Sequence, residues 1–318
     1  MKGLTDIEGI KVGHASDFDA LTGCTAILCS TGAVAGVDVR GGGTGTEEFD
    51  TMSPLHVTDA IHAVVLAGGS AFGLEAASGV RRYLALHNVG FKTTYGVVPI
   101  VPSAILYDLG IGKAHVRPSR EMGEAAAAAA TADPVAEGCI GAGTGATVGK
   151  LFGMSRAMKG GIGSATVWLD GPFAGVRVAA IAAVNAFGDI RDPETNELIA
   201  GARESDTGMG LVDTSQAIKR GSGGGFQRQN TTLGVVATNA KLTKVQATKL
   251  AQLAQIGLTR TVQPAHTMFD GDMVIALSLG TAEADLHALG IAAAEALALA
   301  IVRGVRLAKS MGGVPGLG

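Results

Sequence analysis

The sequence predicts an α+β fold in which sheets and helices form separate layers. Apolar, β-rich stretches and helical stretches occur in groups along the chain and do not alternate one for one, as a doubly wound parallel sheet would require. The 318 residues are 47% hydrophobic and 17% charged, which is typical of a globular chain with a sizeable core. The chain has 48 glycines and only 4% aromatic residues, which indicates many tight turns and close backbone approaches.

Eight stretches are predicted to be strands and four are predicted to be helices. Two of the helices have a recognisable start: Thr243 with Gln246 forms a capping box, and Ser70 is expected to cap the helix that begins at Leu74. The strands are expected at residues 10–13, 24–29, 33–39, 63–66, 165–169, 176–184, 233–238 and 273–279, and the helices at 74–86, 121–132, 244–256 and 282–309.

Charge and hydropathy exclude several classes of partner. The net charge of −3 gives no reason to expect nucleic-acid binding. Acidic residues among the first eight exclude a signal peptide, and charged or polar residues interrupt the apolar runs before they reach the roughly 18–20 residues of a membrane span. Three cysteines without metal-ligand spacing are expected to be buried thiols in a reducing compartment. We therefore expect a soluble, cytosolic protein.

The chain contains near-matches to cofactor motifs, but none is complete. The segment 141–146 fits GxGxxA, but the segment before it contains Glu137 and Gly138 and is a poor strand for dinucleotide binding. The segment 144–151 is not a phosphate-binding loop, because Thr144 and Leu151 replace the glycine and the Ser or Thr of that motif. The seven histidines lack zinc-site spacing, and no GxSxG elbow occurs. No metal or nucleotide site is predicted.

The stretch 192–229 is rich in Gly, Ser, Asp, Glu and Arg, and it includes the run Gly221-Ser222-Gly223-Gly224-Gly225. This composition predicts an exposed, mobile connection. It runs directly into Asn230-Thr231-Thr232 and then into the predicted strand 233–238. A mobile segment that ends at a hydroxyl residue on a strand suits intramolecular cleavage, although an Asn-Thr pair also fits a simple turn before a strand.

A threonine hydroxyl needs a base within hydrogen-bond reach before it can act as a nucleophile. If the peptide bond before Thr231 is cut, the new α-amine supplies that base, because its pKa of about 7.7–8.0 leaves a neutral fraction at physiological pH. The same hydroxyl can first attack the Asn230 carbonyl and give an ester that water resolves. One residue then serves both maturation and turnover.

Long stretches of the chain resemble the DmpA-type self-processing aminopeptidases. They are Asn230-Thr231-Thr232-Leu233, Ala237-Thr238-Asn239, the run QPAHTMFDGD at 263–272, LAGGSAFGLE at 66–75, and the start at 4–14. Within this family the chain looks closest to the nylon-oligomer hydrolase branch, in which the cut falls at an Asn-Thr bond. The matches cover nearly the whole chain.

The resemblance implies a four-layer αββα sandwich of the DmpA and ornithine-acetyltransferase type. It implies a single domain, residues 1–318, cut into subunits 1–230 and 231–318 that stay associated and form homo-oligomers. It implies no cofactor, and the substrate is expected to be a small amide or short peptide. An ornithine-acetyltransferase-like acyl transferase and a non-catalytic, metabolite-binding relative are the alternatives, and the type of amide bond is left open.

Several residues take roles from the resemblance. Lys150 is implied to lie near the nucleophile, where its charge would favour the neutral amine. Asn185 is implied to hold the nucleophile or the oxyanion, whereas a turn former is the simpler interpretation. Asp270 and Asp272 flank a glycine and could orient Thr231 or the substrate amide, or could form a turn before the next strand.

The oxyanion is predicted to bind the backbone N–H groups of Gly68, Gly69 and Ser70, at the start of a helix. Phe72 departs from the family, because relatives can carry a tyrosine at this position whose hydroxyl contacts the intermediate. A phenylalanine cannot donate that hydrogen bond.

Overall fold

The computed structural model describes residues 2–222 and 230–318. In these residues the helices are α1 (Glu75–Leu86), α2 (Arg120–Ala128), α3 (Thr214–Lys219), α4 (Lys244–Thr261) and α5 (Leu286–Arg306). The strands are β1 (Ile10–Asp17), β2 (Thr22–Val39), β3 (Thr46–Glu47), β4 (Ile61–Ala67), β5 (Phe91–Thr93), β6 (Gly96–Val98), β7 (Ser103–Ile105), β8 (Thr147–Val148), β9 (Met158–Lys159), β10 (Ile162–Trp168), β11 (Arg177–Asn185), β12 (Asp189–Arg191), β13 (Leu198–Ala200), β14 (Thr231–Ala240), β15 (Val262–Gln263) and β16 (Met273–Ala282).

The long strand β2 joins two halves of one mixed sheet. Its first half pairs with β1 and β4, and its second half pairs with β16. The strand order is β10-β11-β14-β16-β2-β4-β7-β3, with β14 and β16 parallel to each other. The predicted strands 24–29 and 33–39 are therefore one strand, whose register with β4 shifts between Leu28 and Ala33.

Three apolar cores separate four layers. Helices α1 and α2 cover the half-sheet around β4, helices α4 and α5 cover the half-sheet around β14, and the two half-sheets face each other. Side chains alternate between layers, as the two-residue period of a strand requires. In β11, for example, Ala180 and Ala182 face the helices, whereas Ala179 and Ile181 face the opposite half-sheet. The predicted αββα sandwich is confirmed.

Small residues let the helices lie close to the sheet. A Cβ atom added at Gly163 of β10 would stand 2.0 Å from the Ala300 carbonyl oxygen of α5. One added at Gly36 of β2 would stand 2.1 Å from the Thr248 amide nitrogen of α4. Larger residues at these positions would push the layers apart, which accounts for part of the high glycine content.

The two predicted helix starts have different outcomes. Thr243 accepts a hydrogen bond from the Gln246 backbone N–H, and the Gln246 side chain accepts one from the Thr243 N–H, so the capping box is confirmed. The prediction for Ser70 is wrong. Ser70 lies in a 3₁₀ turn (Ser70–Leu74) with a φ of 54°, and its side chain caps neither this turn nor α1.

The prediction that 192–229 is an exposed connection holds only in part: residues 194–197, 204–207 and 219–222 are exposed, but residues 200–203 are buried, and residues 223–229 lie outside the described part of the chain. Strand β13 and helix α3 fall in this stretch. Arg203 is only 4% exposed and donates hydrogen bonds to the carbonyl oxygens of Ser155, Asp206 and Gly208. A polar composition did not reveal this burial, because the guanidinium is satisfied partly by its own loop and partly by the distant Ser155.

Helix α5 is long and apolar enough to cross a membrane by length and composition alone. However, 72% of its most apolar window is buried inside the protein, against β10, β11 and α4. The burial of α5 in the core therefore explains its apolar composition. Cys24 and Cys29 are buried free thiols, as predicted, and Cys139 is half-buried.

Candidate active site

Thr231 is the first residue of β14, in the middle of its half-sheet, and is only 3% exposed. Asn185, the last residue of β11, lies directly opposite it in the antiparallel ladder. On the other side Asn230 pairs with Asp270, just before β16 begins. Strand register therefore brings three distant segments together at one end of the sheet.

The Asn230-Thr231 peptide is held between two donors. The Thr231 hydroxyl donates to the Asn230 carbonyl oxygen at 2.5 Å, and the Gly271 N–H donates to the same oxygen at 2.8 Å. A Cβ atom at position 271 would stand 2.7 Å from Thr231 Oγ1, so glycine is the residue that fits here. The sequence prediction missed Gly271, although its place between two acids pointed to this segment.

Lys150 and Asn185 form a network beside Thr231. Lys150 Nζ donates to both the backbone oxygen and Oδ1 of Asn185, each at 2.9 Å. Asn185 Oδ1 also accepts the Thr147 N–H at 3.0 Å, and Asn185 Nδ2 donates to the Tyr107 carbonyl oxygen at 3.0 Å. Lys150 thus contacts Asn185, which lies opposite Thr231 in the ladder, and Asn185 is fixed by partners on both ends of its amide.

Burial changes the ionisation of this network. Burial lowers the pKa of Lys150 to about 7, although the Asp270 carboxylate acts in the opposite direction. Burial and the neighbouring Asp272 raise the pKa of Asp270 well above its usual range, against hydrogen bonds from Thr267 and Phe187. Lys150 was expected to act through its charge. The structure instead gives it an amine that titrates near neutral pH.

Asp270 and Asp272 are both fully buried and accept hydrogen bonds from backbone N–H groups close to Thr231. Asp272 accepts the Thr232 N–H at 2.7 Å and the His266 N–H at 2.9 Å. Asp270 accepts the Phe187 N–H at 3.2 Å, next to the strand that ends at Asn185. The hydrogen bonds of the two carboxylates go to residues near Thr231 and not to Thr231 itself. The carboxylates therefore position the backbone around Thr231.

Comparison with known proteins shows the family. Peptidase family S58 matches residues 2–317. The chain belongs to this family. It is 37% identical to uncharacterized aminopeptidases of Mycobacterium leprae and Mycobacterium tuberculosis, with 99% of this chain aligned to 93% and 96% of theirs. It is 31% identical to a 6-aminohexanoate-oligomer endohydrolase of Kocuria sp., with 88% of this chain aligned to 75% of that protein.

Two solved structures share the fold of this S58 chain. The L-aminopeptidase D-Ala-esterase/amidase of Ochrobactrum anthropi has a TM-score of 0.75 at 19% identity, over 99% of this chain and 88% of that one. A Burkholderia sp. beta-aminopeptidase has a TM-score of 0.70 at 24% identity, over 100% and 91%. The fold is that of the Ntn hydrolases, and the chain is an S58 aminopeptidase or amidohydrolase. The predicted DmpA-type family is confirmed, but the mycobacterial aminopeptidases are more similar to it than the nylon-oligomer hydrolase.

The predicted oxyanion site of this S58 chain is not supported by its geometry. The N–H groups of Gly68, Gly69 and Ser70 already donate to the Gly23 carbonyl, the Asp108 carboxylate and the Leu106 carbonyl. They are thus occupied by protein acceptors, and the Gly271 N–H is the amide that binds the Asn230 carbonyl oxygen. Phe72 is 56% exposed, and the Arg117 guanidinium lies 3.7 Å above its ring.

Tyr107 is a second residue that sequence reasoning missed in this S58 chain. Besides holding Asn185 through its carbonyl oxygen, it borders a cavity of about 10 Å³ with Lys150, Thr147 and Asp108. Such a cavity has room for about one water molecule. Nothing in the sequence marked this tyrosine, which is one of three. Within residues 2–222 and 230–318, no group of three or more His, Cys, Asp or Glu side chains could hold a metal ion.

Proposed function

We propose that the chain cuts itself between Asn230 and Thr231, and that the freed Thr231 then hydrolyses small amides or short peptides through an ester intermediate. The observation that carries this proposal is the geometry of one carbonyl group. The Asn230 oxygen accepts hydrogen bonds from the Thr231 hydroxyl and from Gly271 N–H, so the nucleophile and an oxyanion donor meet at the bond to be cut.

The proposed cleavage has two steps, formation of an ester and its hydrolysis. Thr231 Oγ1 loses its proton to a base and attacks the Asn230 carbonyl carbon, while Gly271 N–H stabilises the negative oxygen. The C–N bond then breaks, the Thr231 nitrogen receives the proton, and an ester links Asn230 to Thr231 Oγ1. Water attacks this ester, releases the Asn230 carboxylate and restores the Thr231 hydroxyl.

The base for the first step must be a side chain, because the Thr231 nitrogen is still an amide. Lys150 suits this role, since burial lowers its pKa to about 7 and its amine is held on Asn185, directly opposite Thr231. After cleavage the α-amine of Thr231 becomes available, with a pKa of about 7.7–8.0 in its unperturbed form. Maturation and turnover thus use different bases with the same hydroxyl.

The fragments 1–230 and 231–318 are proposed to stay together after the cut. The smaller fragment would contain β14 and β16, and β14 is paired with β11 of the larger fragment along eight residue pairs from Val178↔Thr238 to Asn185↔Thr231. Helix α5 packs against β10 and β11 of the larger fragment. Separating the fragments would expose this core, so they should separate only in denaturant. We also propose that the cleaved pairs assemble into homo-oligomers.

Substrates are proposed from the relatives. Their names include aminopeptidases, a beta-aminopeptidase and a 6-aminohexanoate-oligomer endohydrolase, so they span α-, β- and ω-amino amides. A panel of chromogenic amides of these three classes, assayed with purified protein, identifies the preferred bond. Activity on none of them in fully cleaved protein would count against the hydrolase proposal.

Self-cleavage is tested by intact mass and N-terminal sequencing of purified protein. Wild type should give two fragments, with the smaller beginning at Thr231, and Thr231→Ser should give the same cut more slowly. Thr231→Val keeps the shape of the side chain and should stay uncut and inactive. Thr232→Val is the matched control, because Thr232 is equally buried and adjacent, yet it should still be processed. A single uncut wild-type chain after prolonged incubation at neutral pH would refute self-cleavage.

A further inference from the structure

Lys159 is a charged side chain in an unexpected place. It is 0% exposed, and within the described residues its ammonium donates only to two backbone oxygens, those of Thr144 at 2.9 Å and Ala146 at 2.6 Å. All of the chain's Asp and Glu residues lie in the described residues, and none forms an ion pair with it there. A buried ammonium without a counterion is costly, so its position calls for a reason.

The two carbonyl groups that Lys159 holds belong to the turn before the Lys150 network. In the ribbon β8–β9, Lys159 pairs with Thr147, whose N–H donates to Asn185 Oδ1. Lys150, three residues further along, donates to the same oxygen. The Lys159 ammonium therefore fixes the start of the segment that carries Thr147 and Lys150 to Asn185.

Lys159 also acts on Lys150 through its charge. The groups that influence the Lys150 amine are the carboxylates Asp270, Asp272 and Asp108, which favour the ammonium, and Lys159, which disfavours it. Burial lowers the pKa of Lys159 to about 8, although Cys139 and Asp108 act in the opposite direction, so it is mostly charged at pH 7. A second buried cation thus offsets part of the effect of three carboxylates.

We propose that Lys159 is a positioning residue of the Thr231 centre, which holds the Thr144–Ala146 turn in place and places a second cation next to the segment that carries Lys150. This inference rests on the proposed function, because it matters only if Lys150 accepts a proton from Thr231. Lys159 touches neither the Asn230-Thr231 peptide nor the cavity beside Lys150, and it acts through Lys150 and Asn185.

The test measures the rate of precursor cleavage against pH in matched variants. Uncut precursor has no Thr231 α-amine, so its pH profile reports the side-chain base. Lys159→Gln and Lys159→Met remove the charge, and Lys159→Arg keeps it. Lys244→Gln is the control, because the Lys244 ammonium also donates to backbone oxygens, those of Thr51 and Ser53. Lys244 lies beyond the far end of β14, and a ten-residue strand places that end roughly 30 Å from Thr231. Circular dichroism checks folding.

We expect the neutral variants to cleave about tenfold more slowly, with the acidic limb of the profile moved up by about half a pH unit or more. The direction follows from the charge: without the Lys159 cation, the pKa of Lys150 rises, and the neutral amine forms only at higher pH. Lys159→Arg and Lys244→Gln should keep the wild-type limb. An unmoved limb in whichever neutral variant folds overturns the inference, whatever its rate. Wild type that is not cut at Thr231 would overturn the proposed function instead.

Discussion

The glycine segments 68–70 and 270–272 differ in sequence, Gly-Gly-Ser against Asp-Gly-Asp, and they act differently in the fold. Each offers backbone N–H groups beside an acidic residue. At 68–70 all three N–H groups bind acceptors of the fold, among them the Asp108 carboxylate. At 270–272 the Gly271 N–H binds the carbonyl oxygen of the bond next to the candidate nucleophile, while Asp272 holds the Thr232 N–H.

This difference shows that an oxyanion site is defined by where its donors point and by what already occupies them. A glycine-rich helix entry satisfies the sequence criterion for anion binding, yet its amides are occupied by neighbouring strands and loops. The 68–70 segment should therefore control stability, and the 270–272 segment should control chemistry. Substitutions in the two segments separate the effect on stability from the effect on chemistry.

The largest effect is expected from Gly271→Ala. Its Cβ atom would stand 2.7 Å from Thr231 Oγ1 and 2.9 Å from the Gly43 carbonyl oxygen, and would displace both the nucleophile and the donor. Loss of one oxyanion donor typically costs about 10²–10³ in rate, and displacement of the nucleophile adds to it. Precursor cleavage, followed by denaturing electrophoresis, should fall by that factor or more.

Gly69→Ala is the matched control for Gly271→Ala. A Cβ atom at Gly69 would stand 2.8 Å from Pro118 Cδ, an overlap comparable to the one at Gly271, and the φ of 78° adds backbone strain. We expect it to lower the free energy of unfolding by about 1–3 kcal/mol, while the folded protein is still cleaved. Equal loss of cleavage in both variants would contradict the division of roles.

The next effect is the pH dependence of cleavage. Because the pKa of Lys150 is lowered to about 7, the fraction of neutral amine grows tenfold per pH unit below that value and levels off above it. The cleavage rate of the precursor should follow the same curve. Lys150→Arg should abolish cleavage at every pH, since a guanidinium does not deprotonate in this range. A rate that is constant from pH 5 to pH 8 would rule out Lys150 as the base.

Local patterns were the part of the fold that the sequence could predict. The capping box at Thr243 depends on residues only three apart, and the buried strands depend on apolar runs that any sheet would need. Ser70 failed as a cap because its backbone adopts a positive φ, which a downstream turn and its packing impose. The prediction for 192–222 failed at buried residues such as Arg203 and Thr214, because their partners Ser155 and Asp189 lie outside that stretch.

The candidate site could be predicted only where a family resemblance named its residues. Asn185, Thr231 and Asp272 are far apart in sequence, and the register of β11, β14 and β16 brings them together, while Lys150 reaches Asn185 from the segment after β8. Register depends on pairing across the whole sheet, which no local motif reveals. Gly271 and Tyr107 were missed because each contributes a backbone group to the site, and a sequence motif of side chains does not mark such a group.

A smaller effect is expected when each of two buried aspartates, Asp272 and Asp108, is replaced by asparagine. Asp272 accepts two backbone N–H groups, so an asparagine there would place its NH₂ group against an N–H donor that cannot turn away. Asp108 accepts one backbone N–H and the Thr22 hydroxyl, which can rotate to accept from an NH₂ group. We expect Asp272→Asn to cost about 1–3 kcal/mol more in unfolding free energy than Asp108→Asn, measured by denaturant titration. Equal costs would contradict this account.

The smallest effect is expected from Ser70→Gly, within the segment assigned to stability. Ser70 has a φ of 54°, which costs a non-glycine residue about 1–2 kcal/mol, and its hydroxyl caps no helix. Glycine removes this strain but increases the entropy of the unfolded chain by about 0.4–1 kcal/mol, so a net gain of about 0.5–1 kcal/mol should remain. Thermal unfolding measures the gain, and cleavage kinetics should not change. Slower cleavage in this variant would return the Ser70 hydroxyl to the active site and remove the contrast between the two glycine segments.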